Sequence, residues 1–225
     1  MYEFEVVVLL ATIFIVIYFI GSLRNRSLLV KYSRIFKRRI QPVSEFTGFR
    51  PFGNSGFRAQ SRIRGESKLS RLEIAVSLVD RENAMHYPLS LITKESDMVT
   101  IWAFTSSKPL LNLEIRSKRM VTRHRRPSGI VLETIRTYRE ELEKYFIIAS
   151  SNEVIAKKIL RDDEISSSLL RVKDFLNYFL VDMEESRILL SGKLSEKSLE
   201  SLIDFVIASG EKLPVKSESS HSAYL

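Results

Sequence analysis

Residues 6–23 read VVVLLATIFIVIYFIGSL, and residues 24–40 read RNRSLLVKYSRIFKRRI. Eighteen positions without a charge meet seventeen that hold seven Lys or Arg and no acid. Eighteen helical residues span about 27 Å at 1.5 Å each, close to the ~30 Å thickness of bilayer hydrocarbon. Thirteen of them are Val, Ile, Leu or Phe. At roughly −0.3 to −0.6 kcal/mol apiece, their insertion is favoured by about 4 to 8 kcal/mol. A transmembrane helix is expected over 6–23. A cleaved signal peptide fits less well, because the preceding residues are acidic and Tyr18, Phe19 and Ile20 crowd the approach to Gly21 and Ser22.

Flanking charge sets the expected direction. Glu3 and Glu5 precede the span, whereas Arg24, Arg26, Lys31, Arg34, Lys37, Arg38 and Arg39 follow it. Basic flanks stay in the cytoplasm, so a short head (1–5) is expected outside and the rest inside, as a single-pass protein of the cell membrane. Leu28, Leu29, Tyr32, Ile35, Phe36 and Ile40 recur at helical spacing. This predicts a basic amphipathic juxtamembrane helix over 24–40. Its seven cations are candidate contacts for anionic lipid. Two placements give the same periodicity. The helix lies on the leaflet, or it continues the span and packs on the domain.

The net charge of +8 is unevenly spread. Residues 1–23 contribute −2, residues 24–71 contribute +11 and residues 72–225 contribute −1. The excess sits beside the span, which favours anionic lipid over nucleic acid as its partner. The chain has no cysteine, which excludes disulfides, thiolate nucleophiles and Cys-ligated zinc.

Residues 41–56 hold two Pro and three Gly, the composition of a linker with turns. Phe46, Phe49, Phe52 and Phe57 interleave with Arg50 and Arg58. That pattern suits a stacking surface for single-stranded nucleic acid or aromatic anchors at a membrane. A linker pinned to the domain by its rings is the favoured reading, because four exposed Phe would form an unusual apolar patch. From 57 to 116 the period becomes two, with strands expected over 57–64, 72–78, 98–104 and 111–115 and a further short strand over 89–93. These would form an antiparallel meander with one face on a core. The basic run 116–129 contains Arg116, Lys118, Arg119, Arg123, Arg125 and Arg126 and ends in Pro127, Ser128 and Gly129. It is expected as a charged loop and as a candidate phosphate- or lipid-binding loop.

Beyond it, 130–143 is ambiguous and 145–149 reads as a buried strand. Asn152 is placed to cap a helix over 153–161, and Asp162 or Asp163 to open the next. Residues 177–182 and 187–191 read as a hairpin. Ser195 opens a last amphipathic helix, and 212–225 reads as a disordered tail. The expected fold is α+β: an N-terminal transmembrane helix, then an antiparallel sheet with helices packed on one side. The folding unit is expected over 57–211.

Phe146, Ile147, Ile148, Ala149, Ser150, Asn152, Ala156, Ile159 and Leu160 are followed by a helix, a short hairpin and an amphipathic helix. This order resembles uncharacterised prokaryotic membrane-anchored proteins that pair an N-terminal span with a cytoplasmic α+β domain. The resemblance covers the last third of the chain. It implies the architecture and no activity.

No catalytic motif stands out. His86, His124 and His221 are not paired for metal, and no Gly-x-Ser-x-Gly elbow is present. Asp162, Asp163 and Glu164 read as helix N-terminal charge. No catalytic residue, cofactor or metal is therefore expected. The leading reading is a membrane-anchored adaptor or scaffold whose cytoplasmic domain binds an unidentified protein partner. A membrane-tethered nucleic-acid or ribosome binder using Arg58, Arg62, Arg64 and the 116–126 loop ranks second. A membrane-bound enzyme without a recognisable motif ranks third.

Overall fold

One helix, α1 (Tyr2–Ile40), carries both the uncharged run and the basic run without a break. At 1.5 Å per residue its 39 residues extend about 60 Å. The structure is a computed structural model and describes residues 2–65, 67–119 and 132–216. From residue 3 to residue 20, α1 is exposed except at half-buried Ile17. From Gly21 onward a stripe of buried residues, Gly21, Asn25, Tyr32, Ile35, Phe36 and Ile40, faces the rest of the chain. Of the two placements the periodicity allows, the second is observed: the apolar side of 24–40 packs on the domain.

The remaining elements are β1 (Ser44–Phe52), β2 (Gly56–Ile63), β3 (Leu69–Ser77), α2 (His86–Ile92), β4 (Met98–Thr105), β5 (Leu113–Ser117), β6 (Glu133–Thr134), α3 (Glu140–Tyr145), β7 (Phe146–Ser150), α4 (Glu153–Arg161), α5 (Asp163–Arg171), β8 (Leu176–Asp182), β9 (Arg187–Lys193) and α6 (Glu196–Lys212). The fold is α+β, with one nine-stranded sheet in the order β1-β2-β3-β4-β9-β8-β5-β7-β6. Every pairing is antiparallel.

Four expectations need correction. Residues 41–56 are not a linker, because Ser44–Phe52 is the edge strand and pairs with β2 along its length. An edge strand tolerates Pro51, since an N–H on the free side joins no ladder. Residues 89–93 are not a strand but fall within or just after α2. The meander ends at β4: β9 and β8 lie between β4 and β5. The tail does not begin at 212, because Lys212 ends α6, Leu213 is buried and Val215 bridges Pro109. Residues 217–225 of that tail lie outside the described residues.

Helix boundaries follow local chemistry. Asn152 Oδ1 accepts from the Ile155 N–H at 3.1 Å. Asp162 Oδ1 accepts from Glu164 and Ile165 at 3.0 and 3.2 Å. Ser195 and Ser198 exchange side-chain and backbone bonds in a capping box at the start of α6. Each cap meets an N–H that the helix itself leaves unpaired.

One face of the sheet forms the core. Val76, Ile74 and Leu72 lie opposite Val99, Ile101 and Ala103, which in turn face β9 through Leu190 and Ile188. Leu199, Leu202, Ile203, Phe205 and Val206 of α6 and the buried stripe of α1 complete the same cluster. α1 runs from Gly21, beside the β3–β4 connector, to Ile40 at the opposite end of the strands. There Arg64 N donates to Val43 O at 3.0 Å.

Candidate functional site

Over β1 to β4 and β9 the other face of the sheet is polar and aromatic, whereas β8 is buried on both faces. Register assigns its residues: Gln60 lies opposite Glu73, Glu73 opposite Trp102, and Phe104 between Arg71 and Arg187. β1 adds Phe46, opposite Arg62, and Arg50, opposite Arg58. All of these except Arg71 line an open groove of about 800 Å³. Its guanidiniums come from Arg50, Arg58, Arg62 and Arg187, its rings include Phe46, Trp102 and Phe104, and Glu73 is its one acid among the described residues.

Part of this charge is already partnered. Arg71 Nε lies 3.1 Å from Glu73 and its guanidinium sits 4.0 Å over the Phe104 ring. Arg62 lies 3.5 Å from Glu45, and Arg187 lies 3.7 Å from the buried Asp182. Arg58 lies 5.7 Å over Phe52. Arg50 and Arg58 make no ion pair among the described residues. The groove therefore offers positive charge beside flat apolar rings, which suits an anionic group attached to a flat or extended chain.

The four phenylalanines of 46–57 divide between the two faces. Phe57 is buried, and Phe49 contacts both Phe57 and Phe36 of α1 at 5.9 Å between centroids. Phe46 and Phe52 point the other way and are exposed. Arg64 lies past the end of β2 and does not line the groove. Trp102, Phe104 and Arg187 were not singled out by sequence, because non-local strand pairing brings them to the site.

A second cluster joins α1 to the sheet. Arg81 donates from Nη1 and Nη2 to the two carboxylate oxygens of Asp97, each at 2.9 Å. It also donates to Asn25 Oδ1 at 2.9 Å, and Asn25 Nδ2 donates to Val79 O at 3.1 Å. Val79 N closes the cluster on Asp97 Oδ1 at 2.8 Å. Both charged side chains are at most 12 % exposed. Beside it, burial and the Asp97 carboxylate push the Tyr32 phenol above its ordinary value, so the hydroxyl stays neutral. At Gly21 the helix comes so close to Arg81 that an added Cβ would lie 2.0 Å from the Arg81 carbonyl oxygen.

The basic residues expected at a lipid surface are dispersed. Lys31 lies 2.5 Å from Glu196, Arg38 pairs with Glu200, and Arg39 reaches Glu200 and Asp204 at 3.4 and 3.5 Å. Arg24, Arg26, Arg34 and Lys37 have no ion pair among the described residues. Of the expected 116–126 loop, Arg116 stands in β5 with its Nε 2.9 Å from buried Glu114. Arg119 pairs with Asp174 at 2.7 Å, while Lys118 is exposed just past the strand. Arg123, Arg125 and Arg126 lie outside the described residues, as do His124 and His221. His86 Nε2 lies 3.4 Å from Glu95.

Fold and site thus define an α+β domain built onto a long apolar helix, with a basic and aromatic groove on its sheet. One described helix is long and apolar enough to cross a membrane. No protein-family model matches the chain, and no curated protein matches it. A solved structure with partial likeness is that of the mycobacterial trehalose monomycolate transport factor A, TtfA. The two are 12 % identical, with 69 % of this chain and 79 % of that chain covered and a TM-score of 0.39. A likeness at this level carries no argument about fold or function.

Proposed function

We propose that this chain is a single-pass membrane-tethered adaptor whose sheet groove holds an acidic, extended segment of a protein partner. The groove itself carries the reading: four guanidiniums and four rings line it, against one acid among the described residues. The anchor is the exposed uncharged run of α1, and the acidic head and basic flank favour a cytoplasmic domain. A protease added outside sealed cells is expected to spare everything after residue 23, and digestion of the domain there would refute this orientation.

Continuity of α1 narrows the lipid-facing set. Arg24 and Arg26 lie within about 5 Å of the end of the uncharged run along the helix axis. Lys31 lies about 12 Å beyond it and is paired with Glu196, and Arg34, Lys37, Arg38 and Arg39 lie about 16 to 24 Å beyond it, past the Debye length of roughly 8 to 10 Å. Arg24 and Arg26 are therefore the anionic-lipid contacts, worth about 1 kcal/mol each. Arg62, Phe104 and Arg187 sit toward the far end of the strands from Gly21, while Arg50 and Arg58 lie two residues from the turn that meets Ser22.

Trp102 is the one tryptophan in the chain, so its emission reports groove occupancy. Titration of the full chain with Glu-rich, aromatic-containing peptides is expected to shift that emission. Arg58→Glu should weaken binding by about tenfold, the loss of one charge-assisted contact. An emission that never responds, or an affinity indifferent to Arg58→Glu, would remove the proposal.

Single-stranded nucleic acid is the second reading, favoured by the Arg71–Phe104 stack beside Trp102. Base stacking on such rings contributes about 1 to 3 kcal/mol per base. Oligonucleotide binding that falls steeply with salt, alongside indifference to acidic peptide, would put this reading first.

A further inference from the structure

The β3–β4 connector holds a helix with its polarity reversed. In α2 the serine is inside and the aliphatic side chains are outside: Ser90 is 2 % exposed, whereas Leu89, Leu91 and Ile92 are 53 to 78 % exposed and the preceding Met85 is 77 % exposed. Ser90 Oγ turns inward and donates to Tyr87 O at 2.7 Å. A single exposed leucine needs no explanation, but four large apolar side chains within eight residues form a patch.

The place of this connector in the fold identifies what covers the patch. The Arg81 carbonyl abuts Gly21, and Val79 and Arg81 hold Asn25. At the same end the β1–β2 turn reaches α1, where Asn54 Nδ2 donates to Ser22 Oγ at 2.7 Å. The connector therefore meets α1 where the uncharged run stops and Arg24 begins. The apolar surface of α1 ends on exposed Leu23, and the patch on α2 lies in the segment packed against that end. Exposed cations stand on both sides, Arg24 and Arg26 on α1 and Lys94 after α2.

We infer that α2, with Met85, lies in the bilayer interface as a second membrane contact, its aliphatic side chains beneath the lipid head groups. The inference rests on the proposal that α1 spans the bilayer. A single span fixes the domain at one point and leaves it free to turn about the helix axis. A second contact beside the first removes that freedom. Short apolar faces of this kind sink about 5–10 Å below the head-group boundary.

The chain has no cysteine, so single substitutions give unique labelling sites. Leu89→Cys and Ile92→Cys, both at exposed positions, test α2. Val16→Cys marks the span. Glu185→Cys marks the far end of the sheet, where Thr105 meets Ser186. Each full-length variant carries an environment-sensitive fluorophore and is reconstituted in phosphatidylcholine–phosphatidylglycerol vesicles with nitroxide lipids. Shallow nitroxides are expected to quench Leu89 and Ile92 at least about twofold more than Glu185, and deep nitroxides to quench Val16. Quenching at Val16 with Leu89 and Ile92 no different from Glu185 would overturn the inference and leave the span standing. Labels at Leu89 and Ile92 that are shielded from water yet indifferent to nitroxide would also overturn it, since protein, a second copy included, would then cover α2. Failure to quench Val16 would remove the span and the inference together.

Discussion

Asn25 is the polar residue through which the long helix grips the sheet. Its side chain accepts from Arg81 and donates to Val79, so one amide holds both a charged group and a backbone carbonyl. Arg81 in turn depends on Asp97 for both of its carboxylate bonds. Removing one partner of a buried pair leaves an uncompensated charge, which costs about 3–5 kcal/mol. Asp97→Ala is thus expected to destabilise the domain by that amount, read as a lower urea midpoint at unchanged slope. A loss below about 1 kcal/mol would mean that the pair is worth no more than an exposed one. Asn25→Ala should cost less, about 1 to 3 kcal/mol, since it leaves one guanidinium N–H unmet while Val79 O still accepts from the Arg81 N–H at 2.9 Å. None of this was legible in the sequence. Asn25, Arg81 and Asp97 are far apart in the chain and match no motif, and only the fold brings them together.

Among the elements, α5 and α6 are joined by charge at their ends. Lys212 Nζ donates to both Asp162 oxygens, at 2.8 and 2.9 Å, and reaches Glu164 at 2.7 Å. The bond from Lys212, with the N–H groups of Ile165 and Glu164, holds the Asp162 carboxyl below its ordinary value. Asp162, and in smaller part Glu164, raises the Lys212 ammonium above its own. A lowered carboxylate contributes stability that is present above its unfolded value and is lost as pH falls through the folded one. A raised ammonium contributes stability that is present below its unfolded value and is lost as pH rises through the folded one. The difference in melting temperature between wild type and Lys212→Met should therefore be flat from about pH 5 to 9 and shrink below about pH 4. A difference independent of pH across the acid limb would show that Lys212 acts by packing. Caps such as Asn152, Asp162 and Ser195 were legible because they act within three residues of themselves. The edge strand was not. Pro and Gly in 41–56 read locally as turns, while its strand conformation comes from pairing with β2. The groove was half legible: Phe46, Arg50 and Arg58 are neighbours in sequence, but Trp102 and Arg187 arrive through β4 and β9.

For the whole molecule, the boundary of the folding unit moves. Sequence patterning placed its start at residue 57, because there the period changes to two. The structure places Tyr32, Ile35, Phe36 and Ile40 in the core, each at most 7 % exposed, and makes Ser44–Phe52 part of the sheet. Burying four such side chains contributes about 6 to 12 kcal/mol, at about 1.5–3 each and as an upper estimate. Domains of this size have a net stability of only about 5–15 kcal/mol. A fragment of residues 57–216 loses that contribution and exposes β2 as a new edge, with buried Phe57 and Ala59 uncovered. It is expected to aggregate or to melt without cooperativity. A fragment of residues 22–216 keeps Asn25, the buried stripe and the edge strand, and drops nearly all of the uncharged run. It is expected to be soluble and to melt in one cooperative transition by circular dichroism. Cooperative melting of 57–216 within a few degrees of 22–216 would show that the basic half of α1 only rests on the domain. The expected contrast would instead make that half a core element, so that any tilt of α1 moves the groove with it.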